Sequence, residues 1–178
     1  MQEPTISSQR VYEGRVLNLR VDTVELPDGQ TTLREIVEHH GAVAMVAVDL
    51  DQSVLLVRQY RKALERMLLE IPAGTLEAGE TPDECANREL QEETGYAARR
   101  TVRLGGFFSA PGFCTEYLHL YLSTDLYESP LGGDEDESIE LVRMPLGQAL
   151  GLIKTGEICD AKSIIGLLLA ADHLSRAL

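Results

Sequence analysis

Residues 80–95, ETPDECANRELQEETG, restrict the fold more than any other stretch of the chain. Thr81 supplies an oxygen for a helix N-cap. Pro82 suits the first helical position, where a missing N–H costs nothing, and Glu84 completes a capping box by reaching back to the cap. Gly95 offers the left-handed residue on which helices end. The spacing predicts one helix fixed at both ends, so the rest of the chain must pack around it.

On either side of this helix the apolar period is that of strands. The stretch 15–37 holds two alternating, β-branched runs flanking PDGQ, whose Pro27, Asp28 and Gly29 supply turn chemistry, and predicts a hairpin. Ala42–Val48 and Val54–Arg58 read as strands joined at DLDQS, and MLLEI from Met67 reads as a short buried strand ended by Pro72. Beyond Gly95, strands are expected at 101–109, 116–126 and 139–144. Two helices close the sequence. One runs from near Pro145 to Gly156; the other starts after Asp160, with Ile164, Leu167, Leu168, Ala171 and Leu174 as its apolar face. Strands before, between and after helices predict an α/β domain in which a mixed sheet packs against helix layers.

The 80–95 helix also concentrates charge where it is least expected. Glu89, Glu92 and Glu93 share one face, because positions i, i+3 and i+4 are neighbours. A solvated surface would tolerate this, at about 0.2–0.5 kcal/mol per exposed like-charge pair, and Arg88 would relieve part of it through Glu84 and Glu92. Yet these acids sit in the last turn, where the helix dipole is already negative. Clustered carboxylates that would otherwise repel are what a hard divalent cation requires.

Composition narrows the partners. A formal charge of −13 over 178 residues opposes binding to a nucleic acid backbone, and no basic cluster offsets it. The longest apolar runs, GAVAMVAV and IIGLLLAA, fall far short of the roughly 18 residues of a membrane span. No leader pattern opens the sequence, and Cys85, Cys114 and Cys159 form no C-x-x-C pair, so a reducing cytoplasm is expected. Nucleophilic catalysis lacks its G-x-S-x-G turn, and H-E-x-x-H is missing.

Residues 74–96, GTLEAGETPDECANRELQEETGY, resemble the Nudix box, G(x5)E(x7)REU(x)EE(x)GU with U a bulky apolar residue. Gly74, Glu80, Arg88, Glu89, Leu90, Glu92, Glu93 and Gly95 match; Tyr96 stretches the last class. The resemblance implies a Nudix fold, an α/β/α sandwich with a mixed sheet. It divides the chain into an N-terminal β region, 1–40, and a hydrolase domain, 41–178. It also implies hydrolysis of a nucleoside diphosphate linked to another group. Metal coordination would fall to Glu89, Glu92 and Glu93 with the carbonyl of Ala73, while Gly74, Glu80, Arg88 and Gly95 shape the unit. The implied cation is magnesium, with manganese as a substitute.

Outside the box, LREI, RQYR, EIPAG, the SAPGF turn, DEDESIE and GEICDAKS occur in an order that resembles bacterial ADP-ribose pyrophosphatases from about residue 15 onward. GDP-mannose hydrolases share much of this layout. The likeness implies phosphate or nucleotide contacts from Arg34 and Arg61, a purine contact from Glu35, and an ADP-sugar turn at Pro111 and Gly112. It places a general base on the acidic loop at Glu135, with Glu137 as competitor. A homodimer through the N-terminal β region is implied as well. A nucleotide-sensing module of the same fold that does not cut its ligand is the rival reading. Such modules commonly have a degraded box, and this one is intact.

Overall fold

The computed structural model describes residues 2–133 and 138–176. The chain forms two compact units, one comprising the stretch up to Gly41 with Phe107–Tyr117, the other Ala42–Gly106 with the chain from Leu118 onward.

The first unit is an antiparallel sheet of order β1 (Thr5–Glu13), β2 (Asn18–Glu25) and β3 (Thr31–Glu38). The β2–β3 hairpin is the predicted one. Its register runs from Asn18↔Glu38 to Glu25↔Thr31, and Gly29 closes the turn at φ 84° with its N–H on the Leu26 carbonyl. Strand β1 was not expected, because TISSQRVYE has neither an apolar period nor a buried face and is defined only by its pairing with β2. The 110–115 turn is clipped to β3 by backbone bonds, Val37 N–H to the Phe113 carbonyl at 2.8 Å and Thr115 N–H to the Val37 carbonyl at 2.9 Å.

In the second unit, β4 (Ala42–Val48) is buried along its whole length. It pairs in parallel with β9 (Tyr117–Glu128) and antiparallel with β5 (Ser53–Arg61) and β7 (Ala73–Thr75). The described path of the sheet continues from β5 to β10 (Glu140–Pro145) and from β9 to β8 (Tyr96–Phe108), with β6 (Arg66–Glu70) on β5. Because side chains alternate across a strand, Val43, Met45 and Ala47 join Cys85, Ala86 and Leu90 of helix α1 (Pro82–Thr94) in one cluster. On the opposite face Val46 meets helix α3 (Ala161–Arg176) at Gly166. Both faces of the mixed sheet are thus covered, the layering expected of an α/β/α sandwich.

Helix α1 starts and stops as its sequence dictates. Thr81 caps the Glu84 N–H, the Glu84 carboxylate takes the Thr81 N–H at 2.9 Å, and Gly95 at φ 76° donates its N–H to Gln91. Strand β8 starts directly after Gly95, five residues before the expected Thr101, since YAARR shows no strand pattern until it is paired. Helix α2 (Leu146–Thr155) precedes α3. The expected face of α3 needs correction at Leu168, which is 53% exposed. The buried stripe runs instead through Ser163, Gly166, Leu167 and Ala170, with Ser163 accepting the Ile71 N–H at 2.9 Å.

Candidate active site

The loop–helix unit is organised by Arg88. Its Nε and Nη2 fork onto Glu80 at 2.8 and 2.9 Å, and its Nη1 reaches both Glu89 and Glu92 at 2.8 Å. One guanidinium therefore ties the loop to the helix and offsets three carboxylates. The expected Arg88–Glu84 contact is replaced by Glu80. Glu84 already accepts from the N–H and hydroxyl of Thr81, whereas Glu80 presents both oxygens to the fork. The Arg88 hydrogen bonds hold the Glu80 carboxyl down at about 2, well below the usual carboxylate range, and raise the arginine in turn. Cys85, beneath this network, is pushed up to about 12, chiefly by burial and then by Glu80, so its thiol stays protonated.

Strand β7 brings the sheet to the same place. The Ala73 N–H donates to Oε2 of buried Glu93 at 2.9 Å, and Gln59 Nε2 of β5 donates to Oε1 at 3.3 Å. Gly74 is required by space: a Cβ there would overlap the Glu89 carboxylate. The structure thus gathers Ala73, Gly74, Glu80, Arg88, Glu89, Glu92 and Glu93, with Gly95 ending the helix beside them. Ala73, expected through its carbonyl, meets Glu93 through its N–H. Among the described residues no three His, Cys, Asp or Glu side chains stand at ligating spacing. The glutamates are drawn to different donors, two to Arg88 and one to the sheet. Three hard carboxylates at one helix end, with a glycine making room, nonetheless match the donor set of a divalent cation.

The stretch 129–133, which precedes the acidic segment, is anchored next to this unit. Ser129 N–H donates to the Gly95 carbonyl at 2.8 Å, and its hydroxyl donates to Gln91. Gly133 follows against Glu92, whose carbonyl oxygen would stand 3.5 Å from a Cβ there. Glu135 and Glu137 lie outside the described residues.

Arg61 grips Glu70 through Nε, at 3.1 and 3.2 Å, and through Nη2. The Glu70 side chain is only 2% exposed and also accepts from Lys162 at 2.6 Å, while Lys162 reaches Asp160 at 3.0 Å. Burial by itself would raise the Glu70 carboxyl, but hydrogen bonds from Arg61 and the charge of Lys162 outweigh it and hold it low. The sequence reading missed Gln59, Glu70 and Lys162. One signal was present: a glutamate inside the apolar run MLLEI has to be buried with partners. In the first unit, Arg34 forks onto Glu3 at 2.9 Å, and Glu35 is exposed opposite Val21. Pro111 and Gly112 are exposed in the turn clipped to β3.

Comparison with known proteins agrees with this construction. Residues 38–165 match the NUDIX domain model, and residues 3–37 match the nucleoside diphosphate sugar hydrolase N-terminal domain. The chain is 46% identical over 168 residues to methanol dehydrogenase activator of Bacillus methanolicus, covering 93% of this chain and 91% of that protein. It is 44% identical over 165 residues to ADP-ribose pyrophosphatase of Bacillus subtilis (strain 168), covering 92% and 89%. A crystal structure of ADP compounds hydrolase superposes with a TM-score of 0.89 at 26% identity, covering 99% of this chain and 96% of that one. An intact box folded around Arg88, within a domain model spanning residues 38–165, means that this chain belongs to the Nudix family.

Proposed function

We propose that this protein is a Nudix pyrophosphohydrolase that cleaves the diphosphate of ADP-ribose, or of related ADP-sugars, with water to give AMP and ribose 5-phosphate. The observation that carries this reading is the loop–helix unit at the end of α1, in which Arg88 holds Glu89 and Glu92, Glu89 lies against Gly74, and Ala73 of the adjoining strand holds Glu93. The 44% identity to an ADP-ribose pyrophosphatase supports the substrate.

Glu89, Glu92 and Glu93, with the carbonyl of Ala73, would hold a divalent cation, magnesium or manganese. When bound, that cation neutralises the diphosphate and acidifies a water. Arg61 binds phosphate or nucleotide. Arg34, on phosphate or nucleotide, and Glu35, on the purine, serve the site of a neighbouring copy, and the Pro111–Gly112 turn favours the ADP-sugar. Glu135 takes the proton of the attacking water, with Glu137 next in line. The fastening of 129–133 to the end of α1 supports this, because the chain enters the acidic segment beside Glu92.

A homodimer fits the first unit, where Ile6, Val11, Tyr12, Val16 and Leu33 are all more than half exposed. A second copy would cover them, and a monomer by sedimentation at micromolar concentration would remove this part of the proposal. Three cysteines without disulfides are in keeping with a cytoplasmic setting. No helix of the described residues is long and apolar enough to cross a membrane.

The decisive experiment is a panel of nucleoside diphosphate sugars with magnesium, scored by product chromatography. AMP released fastest from ADP-ribose is the expected result. Faster cleavage of GDP-mannose would move the specificity and leave the chemistry. Binding without cleavage of any member would favour a nucleotide-sensing module instead.

A further inference from the structure

We propose that Gln59 is a positioning residue for Glu93, a neutral clamp that fixes this carboxylate without drawing on its charge; the proposal rests on the reading of Glu93 as a cation ligand. Gln59 lies on β5, is 7% exposed, and brings Nε2 to 3.3 Å from Glu93 Oε1. A carboxylate only accepts, so the amide must turn its nitrogen toward it. The other oxygen, Oε2, takes the Ala73 N–H at 2.9 Å. Two donors that carry no net charge thus reach Glu93 from two strands.

The contrast with its neighbours gives this arrangement its meaning. Glu89 and Glu92 are both held by Arg88, a full positive charge that opposes any incoming cation. A neutral donor sets the rotamer without itself compensating the carboxylate's charge. The position also calls for an explanation of its own. Gln59 stands where a leucine or methionine would fill the core without burying an amide, and a buried amide is favourable only when it is bonded. Its bond is to Glu93.

Binding of Mn2+ to the full chain, followed by electron paramagnetic resonance of the free ion, tests this with Gln59→Met and Glu93→Gln measured in parallel. Methionine keeps the volume and removes the donor. The expected result is Mn2+ affinity about 10-fold weaker in Gln59→Met. Turnover at saturating Mn2+ should stay close to that of the unsubstituted protein, so that the defect appears in the metal concentration needed and not in kcat. A merely structural role would lower the melting temperature and leave the Mn2+ affinity alone, and that result would overturn the proposal. If Glu93→Gln weakens Mn2+ binding and Gln59→Met does not, the clamp is wrong and the ligand assignment stands. If neither substitution changes Mn2+ binding, the ligand assignment fails and the clamp with it. Should the methionine variant not fold, Gln59→Asn carries the same expectation, since a side chain one carbon shorter keeps the amide but not the reach.

Discussion

Gly74 and Glu89 form the tightest pairing at the site, and it is one-sided in its consequences. A methyl group on Gly74 would collide with the end of a flexible side chain, not with backbone, so the fold can yield by moving Glu89. Gly74→Ala should therefore keep its melting temperature close to the parent's and lose kcat/KM by at least about 10-fold, the scale of a displaced ligand. Glu135→Gln should slow turnover by about 10²–10⁴-fold with Mn2+ affinity kept, as for loss of a general base. A larger loss in Glu137→Gln would transfer that role. Glu80 gives a pH signature. Arg88 holds its carboxyl at about 2, below the ordinary value of about 4.3, so the pairing stabilises the fold fully above the ordinary value. That contribution is lost as pH falls toward 2. Urea midpoints measured down through this window should drop more steeply for the parent than for Glu80→Gln. The box residues were legible because their spacing is local. Gln59 was not, since it takes its meaning from Glu93, distant in the chain, while MLLEI announces that Glu70 is buried but not that Lys162 is one of its partners.

Among the elements, α1 was readable to within a residue because its signals lie in the backbone chemistry of its own ends. Strand β7, three residues long, exists only through β4, and β1 only through β2. No local pattern encodes either one. The misplaced Leu168 has a similar origin. A row of apolar side chains does not reveal that Gly166 and Ser163 form the contact, where small residues let the helix approach Ile71 and Val46. This makes Gly166→Ala a test with opposing terms. Helix propensity would return about 1 kcal/mol. A Cβ at 2.8 Å from Ile71 Cδ1 and 3.0 Å from Val46 Cγ2, both side chains fully buried, brings overpacking that typically costs about 1–3 kcal/mol. The loss should win. The melting temperature is expected to fall by about 2–4 °C for each kcal/mol of net destabilisation. A rise would mean that the α3 contact is looser than described.

For the molecule as a whole, charge sets the terms. A protein at −13 and a diphosphate repel, so turnover needs a cation that neither partner provides. Folding does not share that need. Arg88 compensates Glu80, Glu89 and Glu92, while Gln59 and Ala73 hold Glu93. Removing divalent ions with EDTA should abolish turnover and leave a cooperative melt. Excess magnesium should raise the midpoint only modestly, as expected for a ligand that binds the folded state alone. Collapse of the fold in EDTA would contradict the Arg88 arrangement.

That arginine carries a further consequence for how such an enzyme weathers scarcity. With its own guanidinium standing in as counterion to Glu80, Glu89 and Glu92, the polypeptide should stay assembled but silent when divalent ions run short. Returning the ions after EDTA should then restore hydrolysis in the same molecules without refolding.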